Sequence, residues 1–245
     1  ARPALFPILL SKGPLMRIVV LGATGMAGAA VVAEALRRGH DVTAVSRQHH
    51  SQTVGRLTSR LLDVTDVDGV ADVLKDCDAA VVALRPPSGQ ESDLAGLTTG
   101  VLDAASRSRT PLLIIGGAAP LTSSTHPGTL AIDDPAIVPP EWRDAARASL
   151  DQIRACQTHS YRGWVYLSPP AIFGPGEVTG SYRRGTTTLL RDAHGESRIS
   201  PEDLALAVVD ELEHPGGEQH ITVIAAEAGD LDPGRQEHVG DPEGA

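Results

Sequence analysis

The sequence predicts an α/β fold built around a doubly wound parallel sheet, with a small C-terminal substrate-side region. Three observations predict it. Short β-branched apolar runs alternate with helical stretches. Those runs are apolar on both faces, as strands covered by helices on both sides must be. The first run also leads through a glycine-rich turn directly into a helix.

The elements follow in order. RIVVLG (17–22) predicts a strand, and the Ala-rich stretch 26–38, stopped by Gly39, predicts a helix. DVTAVS (41–46) and SRLLDV (59–64) predict the second and third strands. Asp66 has the side chain of an N-cap for a helix reaching about Lys75, and DAAVVAL (78–84) is the fourth strand. A helix near 93–107 then leads to PLLIIGG (111–117), an apolar strand closed by glycines. Residues 118–139, rich in Pro, Ser, Thr and Gly, predict a loop before a helix from Pro140 to about His159. WVYLS (164–168) is the next strand, and PPAIFGPGEVTGSYRRGTTTLL (169–190) reads as an excursion on the substrate side, a region extending to about residue 200. SPEDLALAVVDELE (200–213) opens with a Ser cap and acidic residues in its first turn, which favours a helix start, and QHITVIA (219–225) is the last strand. One domain is expected over 16–225. Residues 1–15 are expected as an upstream extension outside it, because the apolar part Ala4–Leu10 is short, broken by Pro7 and followed by no small-residue cleavage site. Residues 226–245, acidic and rich in Pro and Gly, are expected to be a disordered tail.

Composition narrows the function classes. The 41% hydrophobic content suffices for a core, and no run approaches the roughly 18 apolar residues that span a bilayer. A net charge of -10 disfavours nucleic acid and anionic membrane as partners, since both reward basic surface. Cys77 and Cys156 are too few for a disulfide framework or a zinc site, so no metal is expected, and a reducing cytoplasm is. The basic residues are nineteen arginines against two lysines, Lys12 and Lys75, a bias that suggests a GC-rich genome. The expected partner is a small-molecule substrate, with a homodimer left open as an assembly.

The glycine turn carries the chemistry. VVLGATGMAG spaces Gly22, Gly25 and Gly28 as G-x-x-G-x-x-G between a strand and a helix. In a Rossmann-like fold the first glycine permits a tight turn, the second lets backbone N–H groups approach a pyrophosphate, and the third lets helix and strand pack closely. The helix N-terminus adds its positive end to the phosphate charge. Gly22, Thr24, Gly25, Met26 and Gly28 are therefore the candidate cradle. An NAD site places Asp or Glu at the end of the second strand, but here Asp41 opens that strand, and Ser46 and Arg47 end it. A hydroxyl and a guanidinium suit a 2′-phosphate, so NADP(H) is favoured over NAD(H).

GATGMAG, Asp63-Val64 ending the third strand and GG after the fifth resemble the short-chain dehydrogenase/reductase superfamily. The closer resemblance is to its atypical branch, the NAD(P)H-binding and NmrA-like proteins that include biliverdin reductase B-like enzymes. LSPPAIFGPG and ESRISPEDLALAVVDELE resemble that branch's C-terminal signature, and the likeness spans about residues 16–225. It implies that Asp63 and Val64 lie beside the adenine, and Leu84 and Arg85 along the ribose and pyrophosphate. It also implies Gly116 and Gly117 near the nicotinamide ribose, with Ser168, Pro169, Pro170 and Ala171 flanking the carboxamide.

The superfamily's Tyr-x-x-x-Lys proton relay does not carry over. Neither lysine follows a tyrosine by four, and the window RDAARASL (143–150), about 24 residues before Phe173-Gly174-Pro175, holds neither residue. The arginine of the family's GERTG segment is replaced by Val178. The remaining proton-donor candidates are Tyr182, more simply read as packing or substrate contact, and the loop residue His126. Ser88, Ser123 and Ser124 are further hydroxyls, while Tyr161 and Tyr166 read as structural. Solvent can also supply the proton when the acceptor is electron-poor, the protein then chiefly orienting cofactor and acceptor. The function expected is an NADPH-dependent reductase of a small or conjugated organic acceptor. The alternatives are a non-catalytic NADP(H)-sensing protein of NmrA type, or an isomerase or dehydratase that recycles its cofactor.

Overall fold

A computed structural model describes residues 15–48 and 52–226. The extension and the acidic tail expected at the two ends fall outside those residues, apart from Leu15 and Ala226. The main sheet has nine strands, in the order β3-β4-β2-β1-β5-β6-β7-β11-β9. Seven of them run parallel: β4 (Leu57–Leu61), β2 (Asp41–Ser46), β1 (Arg17–Leu21), β5 (Ala79–Val82), β6 (Leu112–Ile115), β7 (Trp164–Ser168) and β11 (His220–Ala225). An antiparallel strand closes each edge, β3 (Gln52–Val54) on β4 and β9 (Tyr182–Gly185) on β11. A two-stranded parallel sheet of β8 (Ile172–Phe173) and β10 (Arg198–Ile199) lies beside the main one.

The helices cover both faces. α1 (Met26–Arg38) packs against α5 (Pro201–Glu213), while α2 (Val67–Leu74), α3 (Asp93–Ser108) and α4 (Arg143–Thr158) pack side by side. Adjacent residues of a strand therefore enter different cores. Val19 and Leu21 pack in the cluster that includes Leu102, Leu150 and Tyr166, while Ile18 and Val20 pack with Val31, Leu204 and Val208. This two-sided burial is why the strands read as continuous apolar runs. Asp66 caps α2 by accepting from Gly69 N–H at 3.0 Å, and Ser200 caps α5 by accepting from Asp203 N–H at 3.0 Å.

Three details depart from the sequence expectation. The third parallel strand is Leu57–Leu61 rather than 59–64, because it begins in a hairpin with β3 through Gly55, whose φ is +60°. Residues 52–54 are exposed throughout, so they carry no alternation to announce a strand. The excursion after β7 supplies β8 and β9, and β9 joins the main sheet.

The half-buried guanidinium of Arg38, at the end of α1, ties the two helices together. It meets Glu34 on its own helix and Asp210 and Glu213 on α5. Among the described residues no helix is long and apolar enough to cross a membrane.

Candidate functional site

In a doubly wound sheet the crevice for a ligand lies beyond the carboxyl ends of the strands, where the strand order reverses. Here that point lies between β1 and β5, and the glycine turn occupies it. Gly22 has φ +86°, and the N–H groups of Gly22 and Ala23 both donate to the Val45 carbonyl at 3.1 Å, pinning the turn to β2. A Cβ at Gly22 would lie 2.3 Å from the Ala83 carbonyl oxygen, and one at Gly28 would lie 2.2 Å from the Gly22 carbonyl oxygen. Both are glycine for reasons internal to the fold.

Gly25 is different. Its φ is -73°, open to any residue, and a Cβ there would meet nothing closer than the Gly22 carbonyl oxygen at 3.4 Å. It is exposed, as are Thr24 and Met26 on either side. Neither conformation nor packing demands a glycine at this position. Gly25 is also the N-cap of α1, with no side-chain cap and no acidic residue in the first turn. The first turn thus brings no anion of its own to the helix N-terminus and keeps bulk away from it. This arrangement fits a dinucleotide pyrophosphate.

Beside it, Ser46 is buried at the end of β2 and Arg47 is exposed. Arg47 lines a shallow depression with Leu61, Leu62, Asp63 and Asp66. Asp63 accepts from the Thr65 N–H at 2.9 Å and the Thr65 hydroxyl at 2.8 Å. Those bonds, with Arg47 nearby, hold its carboxyl below the usual range. Val64 and Thr65 border a second groove against Ser92, Asp93 and Leu97 at the start of α3. Leu84 is partly buried and Arg85 is exposed at the end of β5.

Residues further along the rim have packing reasons of their own. A Cβ at Gly116 would lie 1.9 Å from the Tyr166 hydroxyl, and one at Gly117 would lie 2.8 Å from Ser149 Oγ. Tyr166 is fully buried, with its hydroxyl 2.9 Å from the Ser149 carbonyl and 3.1 Å from Gln152 Oε1. Ser168 Oγ is also fully enclosed and bonds His220 Nε2 at 2.9 Å, so its side chain is turned toward β11. Burial pushes the His220 imidazole down to about 4. Pro169 and Pro170 are buried, and the Ala171 N–H donates to Ser197 Oγ at 3.2 Å.

The proton-donor candidates separate clearly. The Tyr182 hydroxyl donates to Asp210 Oδ2 at 2.7 Å, and Asp210 also binds Arg38, at the far end of α1 from the glycine turn. Thirteen helical residues put that end roughly 20 Å away. Burial first, then the Asp210 carboxylate, push the phenol well above its usual range. These contacts give Tyr182 a structural role. Tyr161 also serves the fold, donating to the Thr110 carbonyl at 2.7 Å.

His126 sits in a built turn. Its Nδ1 lies 3.0 Å from Oδ2 of Asp134, which is buried. Asp134 also accepts from Ser123 Oγ at 3.0 Å, Thr125 Oγ1 at 3.3 Å and the Ala136 N–H at 3.0 Å. The His126 contact first, then these others, hold the carboxyl below its usual range, and the imidazole is exposed. This loop is strapped to the excursion: Thr122 N–H donates to the Thr187 carbonyl at 2.7 Å, and Leu189 N–H to the Thr122 carbonyl at 2.9 Å. Ser88 is exposed in the loop after β5.

Two positioning residues escaped the sequence reading. Asp134 lies eight residues beyond His126 with no pattern linking them. Asp203 is fully buried and accepts from the Thr179 N–H at 3.0 Å, the Gly180 N–H at 2.8 Å and the Ser200 hydroxyl at 2.8 Å. The Ser-x-x-Asp spacing announces the helix cap but not the reach to the excursion.

Comparisons with known proteins agree with this geometry. A model of an NAD(P)H-binding family matches residues 22–215. The uncharacterized protein YwnB of Bacillus subtilis is 34% identical over 220 residues, covering 87% of this chain and 100% of YwnB. The solved structure of a candidate epimerase from Bacteroides thetaiotaomicron is 32% identical with a TM-score of 0.77, covering 87% of this chain and 99% of that one. A candidate NADH-flavin reductase from Streptococcus pneumoniae is 28% identical with a TM-score of 0.74, covering 86% of this chain and 100% of that one. The glycine turn stands at the start of the matched segment, on the strand where a dinucleotide fold requires it, and this chain belongs to the NAD(P)H-binding family.

Proposed function

We propose that this chain is an NADPH-dependent reductase of a small or conjugated organic acceptor, working without a Tyr-x-x-x-Lys relay. The observation that carries the proposal is Gly25, a glycine that the protein's own packing does not require, at an uncapped helix N-terminus. The likeness to a candidate NADH-flavin reductase supports reduction as the reaction.

A reduced nicotinamide supplies a hydride when bound. The chain's residues bind and orient. Gly22, Thr24, Gly25, Met26 and Gly28 cradle the pyrophosphate, and Ser46 and Arg47 take the 2′-phosphate, which makes NADPH the preferred cofactor. Asp63 and Val64 flank the adenine, Leu84 and Arg85 the adjoining ribose and pyrophosphate, and Gly116 and Gly117 the nicotinamide ribose. The backbone from Ser168 through Pro169, Pro170 and Ala171 borders the carboxamide. Tyr182, bonded to Asp210, is removed as the donor, so His126 or solvent supplies the proton, and an electron-poor acceptor suits the solvent route. A cytoplasmic setting belongs to the same proposal: the thiols are free, and burial pushes Cys77 up to about 11 and Cys156 up to about 12, as suits inert thiols in a reducing compartment.

The test is a fluorescence titration with NADPH and NADH, followed by a panel of flavins, quinones and enones read at ~340 nm, the reduced nicotinamide band. Tighter binding of NADPH than NADH, with turnover of at least one acceptor, is expected. Tight binding without turnover across the panel would overturn the reductase reading and favour a sensor. A preference for NADH would overturn the role of Arg47.

A further inference from the structure

Arg191 is an arginine whose charge meets no carboxylate among the described residues. Its Nε–H donates to Ser124 Oγ at 3.0 Å and its Nη1–H to the Gly195 carbonyl at 2.6 Å, both neutral acceptors. Its backbone is held as well, because Arg183 Nη2–H donates to the Arg191 carbonyl at 2.7 Å. The guanidinium is therefore positioned without being neutralised, on a chain whose net charge is -10. By contrast, Arg184 in the same excursion is paired with Glu211 and Glu218.

Its location matters. Ser124 belongs to the loop that leaves β6 at the carboxyl end of the sheet, the side on which the glycine turn lies. That loop turns soon after leaving the strand, with the Leu121 N–H donating to the Ala118 carbonyl at 3.0 Å. Thr122 is bonded on both sides to the Thr187–Leu189 strap that carries Arg191. Two residues beyond Ser124 stands His126, exposed and held through its Nδ1 by Asp134. Ser124 accepts the Nε–H of Arg191 and keeps its own hydroxyl proton to donate, and it is exposed. The Nη2 group of Arg191 takes part in neither of the two contacts.

We propose that Arg191 and Ser124, with His126 beside them, form a subsite for the phosphate monoester of an anionic acceptor. A guanidinium edge and a hydroxyl donor together suit a tetrahedral oxyanion with several acceptor oxygens. The subsite deepens the reductase reading, on which it rests for the identity of its ligand as an acceptor. It would select among acceptors by a group remote from the reacting atoms.

FMN and riboflavin make the test, since they share the reducible ring and differ by a phosphate. Flavin fluorescence is titrated with the full chain in saturating NADP⁺, which keeps FMN's phosphate out of the glycine turn. FMN is expected to bind at least tenfold more tightly than riboflavin. Arg191→Gln is expected to bring the two to equal affinity, with riboflavin binding unchanged and the melting temperature lowered by no more than a few degrees through its lost bonds to Ser124 and Gly195, and Arg191→Lys to keep part of the preference. Equal affinities in the unaltered chain, binding of neither flavin, or a preference that survives Arg191→Gln would each overturn the subsite. A separate NADPH titration of the same protein reads the cofactor proposal alone, so its failure is distinguishable from failure of the subsite.

Discussion

Replacing each glycine of the turn by alanine, one at a time, separates the fold's requirements from the ligand's. At Gly22 the φ of +86° costs an L-residue about 1–2 kcal/mol before any contact is counted, and the new Cβ would press on the Ala83 carbonyl at 2.3 Å. At Gly28 alanine would ordinarily stabilise a helix by about 1 kcal/mol, but a Cβ 2.2 Å from the Gly22 carbonyl reverses the sign. Both variants should therefore be destabilised by about 2 kcal/mol or more, a fall of several degrees in melting temperature for a chain of this size. At Gly25 the terms nearly cancel. Alanine is the poorer N-cap by up to about 1 kcal/mol, while the loss of unfolded-state freedom returns about 0.4–1 kcal/mol. Nothing in the fold opposes the methyl group, whose nearest neighbour lies at 3.4 Å. Gly25→Ala should melt within about 3 °C of the unaltered chain and lose at least tenfold in NADPH affinity, about 1.4 kcal/mol. Differential scanning fluorimetry and a fluorescence titration measure the two quantities on one preparation. Retained affinity in a stable Gly25→Ala protein would refute the cradle assignment, and a large fall in its melting temperature would refute the claim that the site is open.

Further outcomes follow from other contacts. Arg47→Ala should weaken NADPH binding by tenfold or more and leave NADH binding nearly unchanged; equal losses for both would remove it from the 2′-phosphate. Tyr182→Phe should cost about 1–2 kcal/mol of stability through its lost bond to Asp210, with NADPH affinity unchanged in the titration; a large loss of affinity would return the hydroxyl to the site. Asp203→Ala would leave the Thr179 and Gly180 N–H groups and the Ser200 hydroxyl without their acceptor, at a cost of about 3 kcal/mol or more in urea unfolding. His220, partly buried, takes up its proton at about 4 when folded but near 6.5 when unfolded, so the unfolded chain binds more protons between those values. Its contribution is thus complete above pH 6.5 and is lost as pH falls toward 4, on the order of 3 kcal/mol in all. His220→Gln should flatten the stability profile between pH 6.5 and 4.5, and an unchanged slope would show that His220 does not set it.

By itself the sequence determined the sheet, the helices and the turn, because each is written in local chemistry. Two-sided burial makes the parallel strands continuously apolar, Asp66 and Ser200 announce their helices as caps, and glycine spacing marks the turn between β1 and α1. Whatever depended on residues distant in the chain stayed hidden. β3 lacks a buried face, so no periodicity betrays it, and β9 becomes a strand only because β11 offers it an edge. The three glycines look alike in the sequence, yet two answer carbonyls of the fold and only Gly25 is left free for a ligand. Tyr182 stands in the substrate-side excursion by position, but its hydroxyl belongs to Asp210 and the ion pairs at the far end of α1. Asp134 and Asp203 draw together backbone and side-chain donors from separate segments, and among the described residues Arg191 meets no carboxylate while Arg184 is paired with two. Hydrogen bonds and close contacts are short-ranged in space rather than along the chain, so the tertiary structure alone decided which polar groups were already satisfied and which remain to meet a ligand.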